Sequence, residues 1–141
     1  MVKKKQIYLE NVLLLTSSFI KQKMISIKKL LNSFKYAFRG IKFVFLEEQN
    51  MKIHVLISVI VIITGLIMKL SCMEWIAVVI CIGMVFTTEI FNTAIENIVD
   101  FISPDVHPLA GKIKDISAAA VIICAVASVV VGSFIFLPKF F

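Results

Sequence analysis

The chain is poor in the residues from which most nucleotide-binding and catalytic loops are built. Of 141 residues, five are glycine (Gly40, Gly65, Gly83, Gly111 and Gly132) and three are proline. The glycines form neither a G-x-x-x-x-G-K-[ST] nor a G-x-G-x-x-G pattern, so a P-loop and a dinucleotide-binding turn are both excluded. There is no G-x-S-x-G nucleophile elbow and no H-E-x-x-H metal helix. The three cysteines, Cys72, Cys81 and Cys124, have no metal-ligand spacing. They lie in or beside apolar runs and read as packing residues in a reducing or lipid environment. Met68, Met73 and Met84 read the same way, and the single Trp75 suits an interfacial anchor. Charge is also sparse, at 17% of residues, with nine acidic groups against 15 basic ones. Chemistry in this chain falls to carboxylates, asparagine and lysine.

What fills the space is apolar. The composition is 60% hydrophobic and the mean hydropathy is +0.98, far above a soluble domain. Ile53–Leu70 is interrupted only by Lys69, Glu74–Phe86 is apolar after its first residue, and Ile116–Leu137 runs 22 residues without a charge. Since about 20 helical residues cross the hydrocarbon of a bilayer, three transmembrane helices are expected, over about 50–70, 74–102 and 113–137. Ahead of them, Ile27, Leu31, Phe34, Phe38, Ile41 and Phe45 recur at alternating steps of four and three, with Lys28, Lys35 and Lys42 on a neighbouring face. That pattern predicts an amphipathic surface helix over about 24–46, lying in the headgroup region. Residues 1–23 read as a weakly ordered extension. Lys3-Lys4-Lys5 followed by Val12–Leu15 hints at a signal peptide, but no small-residue cleavage motif follows, and Met24 is a candidate true start. The expected fold is an all-α integral membrane protein.

Eleven of the 15 basic residues precede Ile53. Positive charge beside a first span stays cytoplasmic. The N-terminus and the 101–115 link are therefore expected in the cytoplasm, and the C-terminus outside. Three small spans enclose little volume, so an oligomer is expected.

The second span carries the chemistry. It runs on into Glu89-Ile-Phe-Asn92-Thr-Ala-Ile-Glu96-Asn-Ile-Val-Asp100. At about 100° per residue, Glu89, Asn92, Glu96 and Asp100 fall near 0°, 300°, 340° and 20°, one stripe of a single helix. The stripe could be a solvated face or a structural network, but ionisable groups at membrane depth are costly and mark function by default. Glu47-Glu48 before the first span, Asp105-Val106-His107 in the link and Lys114-Asp115 face the same side. Asp115 is expected at a helix start before Ile116. These groups suit Mg²⁺, which takes one or two carboxylates and shares substrate phosphates. A further carboxylate could take a proton from an alcohol, and a lysine could offset phosphoryl charge. A phosphotransferase is allowed on these residues. A small oligomeric cation or proton transporter or channel is allowed equally.

The run Glu89-x-x-Asn92-Thr-Ala-Ile-Glu96-x-x-x-Asp100, followed by His107-Pro-Leu-Ala and Lys114-Asp115-x-x-Ala-Ala-Ala, resembles the prokaryotic diacylglycerol kinase family, from about Ser33 to Leu137. The Glu-Glu-x-Asn-x-x-Ile-His54 run and Pro108 resemble its Gram-positive branch, whose members phosphorylate undecaprenol. The resemblance implies a homotrimeric lipid kinase using ATP and Mg²⁺, with undecaprenol the expected substrate and diacylglycerol the alternative. It implies Glu89 as general base at the lipid hydroxyl, with Glu48 and Glu96 holding the metal that bridges the ATP phosphates. It implies nucleotide contacts from Tyr36, Asp105, Val106, His107, Lys114 and Asp115, and site-organising roles for Asn92 and Asp100. Lys29 stands where some relatives carry arginine; it keeps the charge without the planar fork.

Overall fold

Ser26 opens the first helix: its Oγ accepts from the Lys29 amide at 3.4 Å, and helix α1 follows over Ile27–Glu47. The structure, a computed structural model, describes Gln6, Leu13, Leu14 and residues 26–140. Apart from those first three positions, the extension expected over residues 1–23 lies outside the described residues, as does Met24. The contacts divide the chain into two units, 1–39 and 40–141. In the first, the Arg39 guanidinium lies 5.8 Å from the centre of the Tyr36 ring. The second holds the end of α1 and the remaining helices. There Val44 is buried and Phe45 meets Phe86 edge to face, with ring centroids 5.4 Å apart.

A single residue separates α1 from helix α2, which spans Gln49–Ile67. Glu48 takes extended backbone angles (φ −81°, ψ 124°) and resets the chain direction. Helix α2 ends three residues earlier than hydropathy suggests. Lys69 sits at φ 53°, and the Leu70 amide bonds back to the Gly65 carbonyl at 3.1 Å, closing the helix with a left-handed residue. Helix α3, Cys72–Ile102, starts at once. Ser71 and Glu74 cap each other reciprocally: the Ser71 amide donates to Glu74 Oε2 at 2.6 Å and the Glu74 amide to Ser71 Oγ at 3.4 Å.

Helix α4 covers Pro108–Phe136 and is continued by a 3₁₀ turn, Leu137–Lys139. It begins well before the expected position near 113, so Asp115 is not at a helix start but two turns inside. Pro108 is the reason, its fixed φ suiting a first helical turn, while His107 caps the helix by accepting the Leu109 amide on Nδ1 at 3.2 Å. At the other end, Lys139 Nζ pairs with Glu74 Oε1 at 3.1 Å and ties the close of α4 to the start of α3.

Helices α2, α3 and α4 are long and apolar enough to cross a membrane. Among the described residues there are no strands. Helix α4 packs along α3, and α2 touches α3 more sparingly. The buried apolar core is correspondingly small: Val44, Met51, Leu70, Val78, Val85 and Val121. Most leucines, isoleucines and phenylalanines are exposed on the single chain. Such a surface calls for lipid or further copies of the chain rather than water. Hydroxyl groups within the spans satisfy themselves on the preceding turn, as Ser58 does on the His54 carbonyl at 2.7 Å and Thr64 on Ile60 at 2.9 Å.

Candidate active site

Helix α3 is longer than a membrane needs. Its 31 residues rise about 46 Å, against a hydrocarbon core of about 30 Å. Counted from Cys72, the twentieth residue is Phe91, so the last turns of α3 stand at headgroup depth and beyond. The polar stripe occupies that stretch, and its members grade from buried to wet. Glu89 is 2% exposed, Asn92 4%, Glu96 half-buried, and the Asp100 side chain largely open.

Packing gathers groups from α2 and α4 around this stripe. Asn50, His54, Glu96 and Glu48 are the polar side chains near enough to act on the Glu89 carboxyl group. Glu48 is half-buried at the joint between α1 and α2. Asn92 Nδ2 donates to Glu96 Oε1 at 2.9 Å, the i to i+4 contact that the spacing requires. From α4, the buried Ser117 Oγ donates to Asn92 Oδ1 at 2.6 Å. Toward the helix ends, Lys114 Nζ pairs with Asp100 Oδ1 at 2.6 Å. That pair is partly exposed and contributes about 0–1 kcal/mol, so it aligns more than it stabilises.

The sites read from the sequence divide accordingly. Glu48, Glu89, Asn92 and Glu96 converge, and Asp100 with Lys114 closes the same face. Asp105, Val106 and His107 form the exposed link between α3 and α4, where the Asp105 carbonyl accepts from Ser103 Oγ at 3.3 Å. Asp115 is exposed on α4, about 100° around from Lys114. Lys29 and Tyr36 belong to the first unit. Three participants were not read as site residues: Asn50, His54 and Ser117. Asn50 and His54 are four apart on α2 and share a face. Ser117 follows Lys114 by three, but nothing in its neighbours marks it.

Oxygen donors from two acidic residues, Glu48 and Glu96, flank Glu89. Among the described residues no three His, Cys, Asp or Glu side chains form a ready metal cage. Two carboxylates completed by substrate phosphates are what Mg²⁺ accepts, so the donor set fits a metal that arrives with a nucleotide rather than a resident ion. Beneath the polar cluster an apolar groove of about 260 Å³ runs between the helices, with His54 at its polar end and Ile57, Val61, Val78, Val85 and Val129 among its walls.

Most of the chain is matched in known proteins. The sequence profile of the prokaryotic diacylglycerol kinases aligns with residues 35–136. The chain belongs to the prokaryotic diacylglycerol kinase family. It is 41% identical over 113 residues to the undecaprenol kinase of Bacillus subtilis (strain 168), spanning 80% of this chain and 92% of that relative. It is 34% identical over 110 residues to a diacylglycerol kinase of Synechocystis, covering 77% of this chain and 63% of the relative. A diacylglycerol kinase of Haemophilus influenzae is 30% identical over 108 residues, covering 76% and 92%. Membership makes this diacylglycerol-kinase-family chain a lipid kinase and a multi-pass membrane protein. It answers the choice left open by composition in favour of an enzyme over a transporter or channel.

Proposed function

We propose that the chain transfers the γ-phosphoryl group of Mg²⁺–ATP to the hydroxyl of undecaprenol, giving undecaprenyl phosphate and ADP. The observation that carries the reaction is the burial of Glu89 on the polar stripe of α3; by helix length that stripe lies near headgroup depth. A carboxylate there meets a lipid alcohol whose tail stays in the membrane. The choice of undecaprenol rests on the similarity to the Bacillus subtilis undecaprenol kinase, which covers nearly all of that relative. The apolar groove leading away from His54 and Glu89 supports a hydrocarbon ligand.

Glu89 takes the proton as the lipid oxygen bonds to the γ-phosphorus and the bond to the β-phosphate oxygen breaks. Glu48 and Glu96 would hold Mg²⁺, which would supply neutralising charge for the phosphates. Lys114 offsets further charge on the nucleotide, and Asp115, Asp105, Val106, His107, Tyr36 and Lys29 supply its remaining contacts. Asn92 and Asp100 fix the carboxylate and the lysine beside them. Catalysis is then positioning and charge neutralisation, with no covalent enzyme intermediate. The kinase unit is residues 24–141, assembled as a homotrimer that covers the exposed apolar faces. The N-terminus and the site face the cytoplasm, in line with the basic residues ahead of the first span, and the C-terminus lies outside.

The test is transfer of labelled phosphate from ATP in mixed micelles with Mg²⁺, undecaprenol and diacylglycerol being offered separately and in competition. Preference for undecaprenol is the expected result. Preference for diacylglycerol would place the chain with its Synechocystis and Haemophilus relatives, and no transfer to either lipid would overturn the reading.

A further inference from the structure

The Ser117 hydroxyl stands where the sequence pattern Lys114-Asp115-x-x-Ala-Ala-Ala leaves an unspecified position, yet among the described residues it is the α4 group that bonds to the buried part of the stripe, while Lys114 pairs with its open end at Asp100. It is 8% exposed, and the amide it meets, Asn92, is 4% exposed. Its Oγ has two acceptors within reach, Asn92 Oδ1 at 2.6 Å and the Lys114 carbonyl at 2.9 Å, but only one proton. The shorter contact takes it. With the proton there, both ends of the Asn92 amide have a partner of the right kind. With Oδ1 held by Ser117, Nδ2 is turned to Glu96 Oε1, at 2.9 Å. Were the amide turned over, its oxygen would face the carboxylate oxygen of Glu96, acceptor against acceptor. The carboxylate, which only accepts, sets the orientation of the amide, and the Ser117 hydroxyl, by donating to the other end, holds it there.

We infer that Ser117 is a positioning residue for the kinase reaction: its hydroxyl locks the Asn92 amide so that Asn92 holds Glu96 in the one rotamer that leaves the second carboxylate oxygen free for Mg²⁺. The inference rests on the proposed role of Glu96. Its parts form a line from α4 to α3, Ser117 to Asn92 to Glu96; the Ser117–Asn92 bond is buried, and the Asn92–Glu96 bond is partly so. Because Ser117 is one turn beyond Lys114, and Lys114 is paired with Asp100, the same stretch of α4 sets both the carboxylate and the lysine.

Removing a hydrogen-bond partner that holds a metal ligand from behind weakens metal use about 10–100-fold. Asn92 stands directly behind Glu96 and Ser117 one bond further back, so Ser117→Ala is expected to raise the Mg²⁺ concentration for half-maximal lipid phosphorylation by about 10-fold, the low end of that range, while largely keeping turnover at saturating Mg²⁺. The thermal shift given by Mg²⁺ with a non-hydrolysable ATP analogue should shrink in parallel, a readout that needs no turnover. Ser117→Thr, which keeps the hydroxyl, should restore both. Ser117→Cys, close in size but a weak donor, should fall between and serves if the alanine variant fails to assemble. On an Asn92→Ala background Ser117→Ala should add nothing, since the effect runs through that amide. Native Mg²⁺ dependence in an active, assembled Ser117→Ala or Ser117→Cys variant would overturn the proposal alone. Absence of lipid phosphorylation by the native chain would overturn the kinase reading and the proposal with it.

Discussion

Replacing Glu89 by glutamine separates what this side chain does for the reaction from what it does for the fold. The two residues have nearly the same shape, and the glutamine amide can still face the nearby Asn50 side chain. Glutamine is also uncharged. An ionised group at membrane depth costs roughly 2.5–3.5 kcal/mol on insertion scales. A residue only 2% exposed, with carboxylates from Glu48 and Glu96 as neighbours, has no water to offset that cost. The folded, assembled protein is therefore expected to be as stable with glutamine as with glutamate, or more so. Activity moves the other way. Loss of a positioned general base lowers the rate about 10²–10⁴-fold, which is roughly 3–5 kcal/mol of barrier. Glu89→Asp keeps the charge but withdraws it by about one methylene, and a misplacement of about 1 Å is itself worth on the order of 10²-fold. The assay is labelled phosphate transfer to undecaprenol in mixed micelles, with thermal unfolding and detergent-solubilised mass measured on the same samples. Near-native turnover in Glu89→Gln would refute the base assignment. An inactive variant that also failed to assemble would show that the carboxylate is structural.

Other outcomes follow from the same coordinates. Chelation of divalent ions should abolish transfer without unfolding the protein, because no three His, Cys, Asp or Glu side chains among the described residues form a metal cage; a drop in helix content on adding EDTA, read by circular dichroism, would contradict this. Gly65→Ala places a methyl group 3.0 Å from Trp75 Cη2 and 3.4 Å from Leu70 Cδ1. Overpacking costs about 1–3 kcal/mol and alanine returns about 1 kcal/mol of helix propensity, so a net loss of up to about 2 kcal/mol is expected in thermal stability. Lys69→Gly should be neutral or stabilising by up to about 1 kcal/mol, since φ 53° is strained for lysine and free for glycine; a lowered thermal midpoint would count against the left-handed cap.

Legibility in the sequence followed the range of each interaction. The stripe Glu89–Asn92–Glu96–Asp100 could be read because its members sit on one helix, where spacing fixes the face, and the bond between Asn92 and Glu96 is the direct consequence. The three spans were readable from hydropathy, which is a local sum. Their ends were less so. Helix α4 starts at Pro108 although Lys112 and Lys114 depress the hydropathy of its first turns, because a proline and a capping histidine start a helix whatever its polarity. Helix α2 stops at Ile67 in a still apolar run, because Lys69 adopts a left-handed backbone. Asn50, His54 and Ser117 were passed over for a different reason. They reach the site from α2 and α4, and which face of one helix meets another is set by side-chain packing between segments far apart in the chain. No periodicity within either segment carries that information.

Helix α3 sets two coordinates of the reaction with one variable. Between the capping box at Ser71–Glu74 and Glu89, each residue advances the carboxylate about 1.5 Å in depth and turns it about 100°. A one-residue insertion would barely change the depth but swing Glu89 away from Asn50 and His54. Deleting seven residues would restore the heading to within about 20° and move the group about 10 Å into hydrocarbon. No change in the length of this segment preserves both, so side chains along it are free to vary while the number of residues is not.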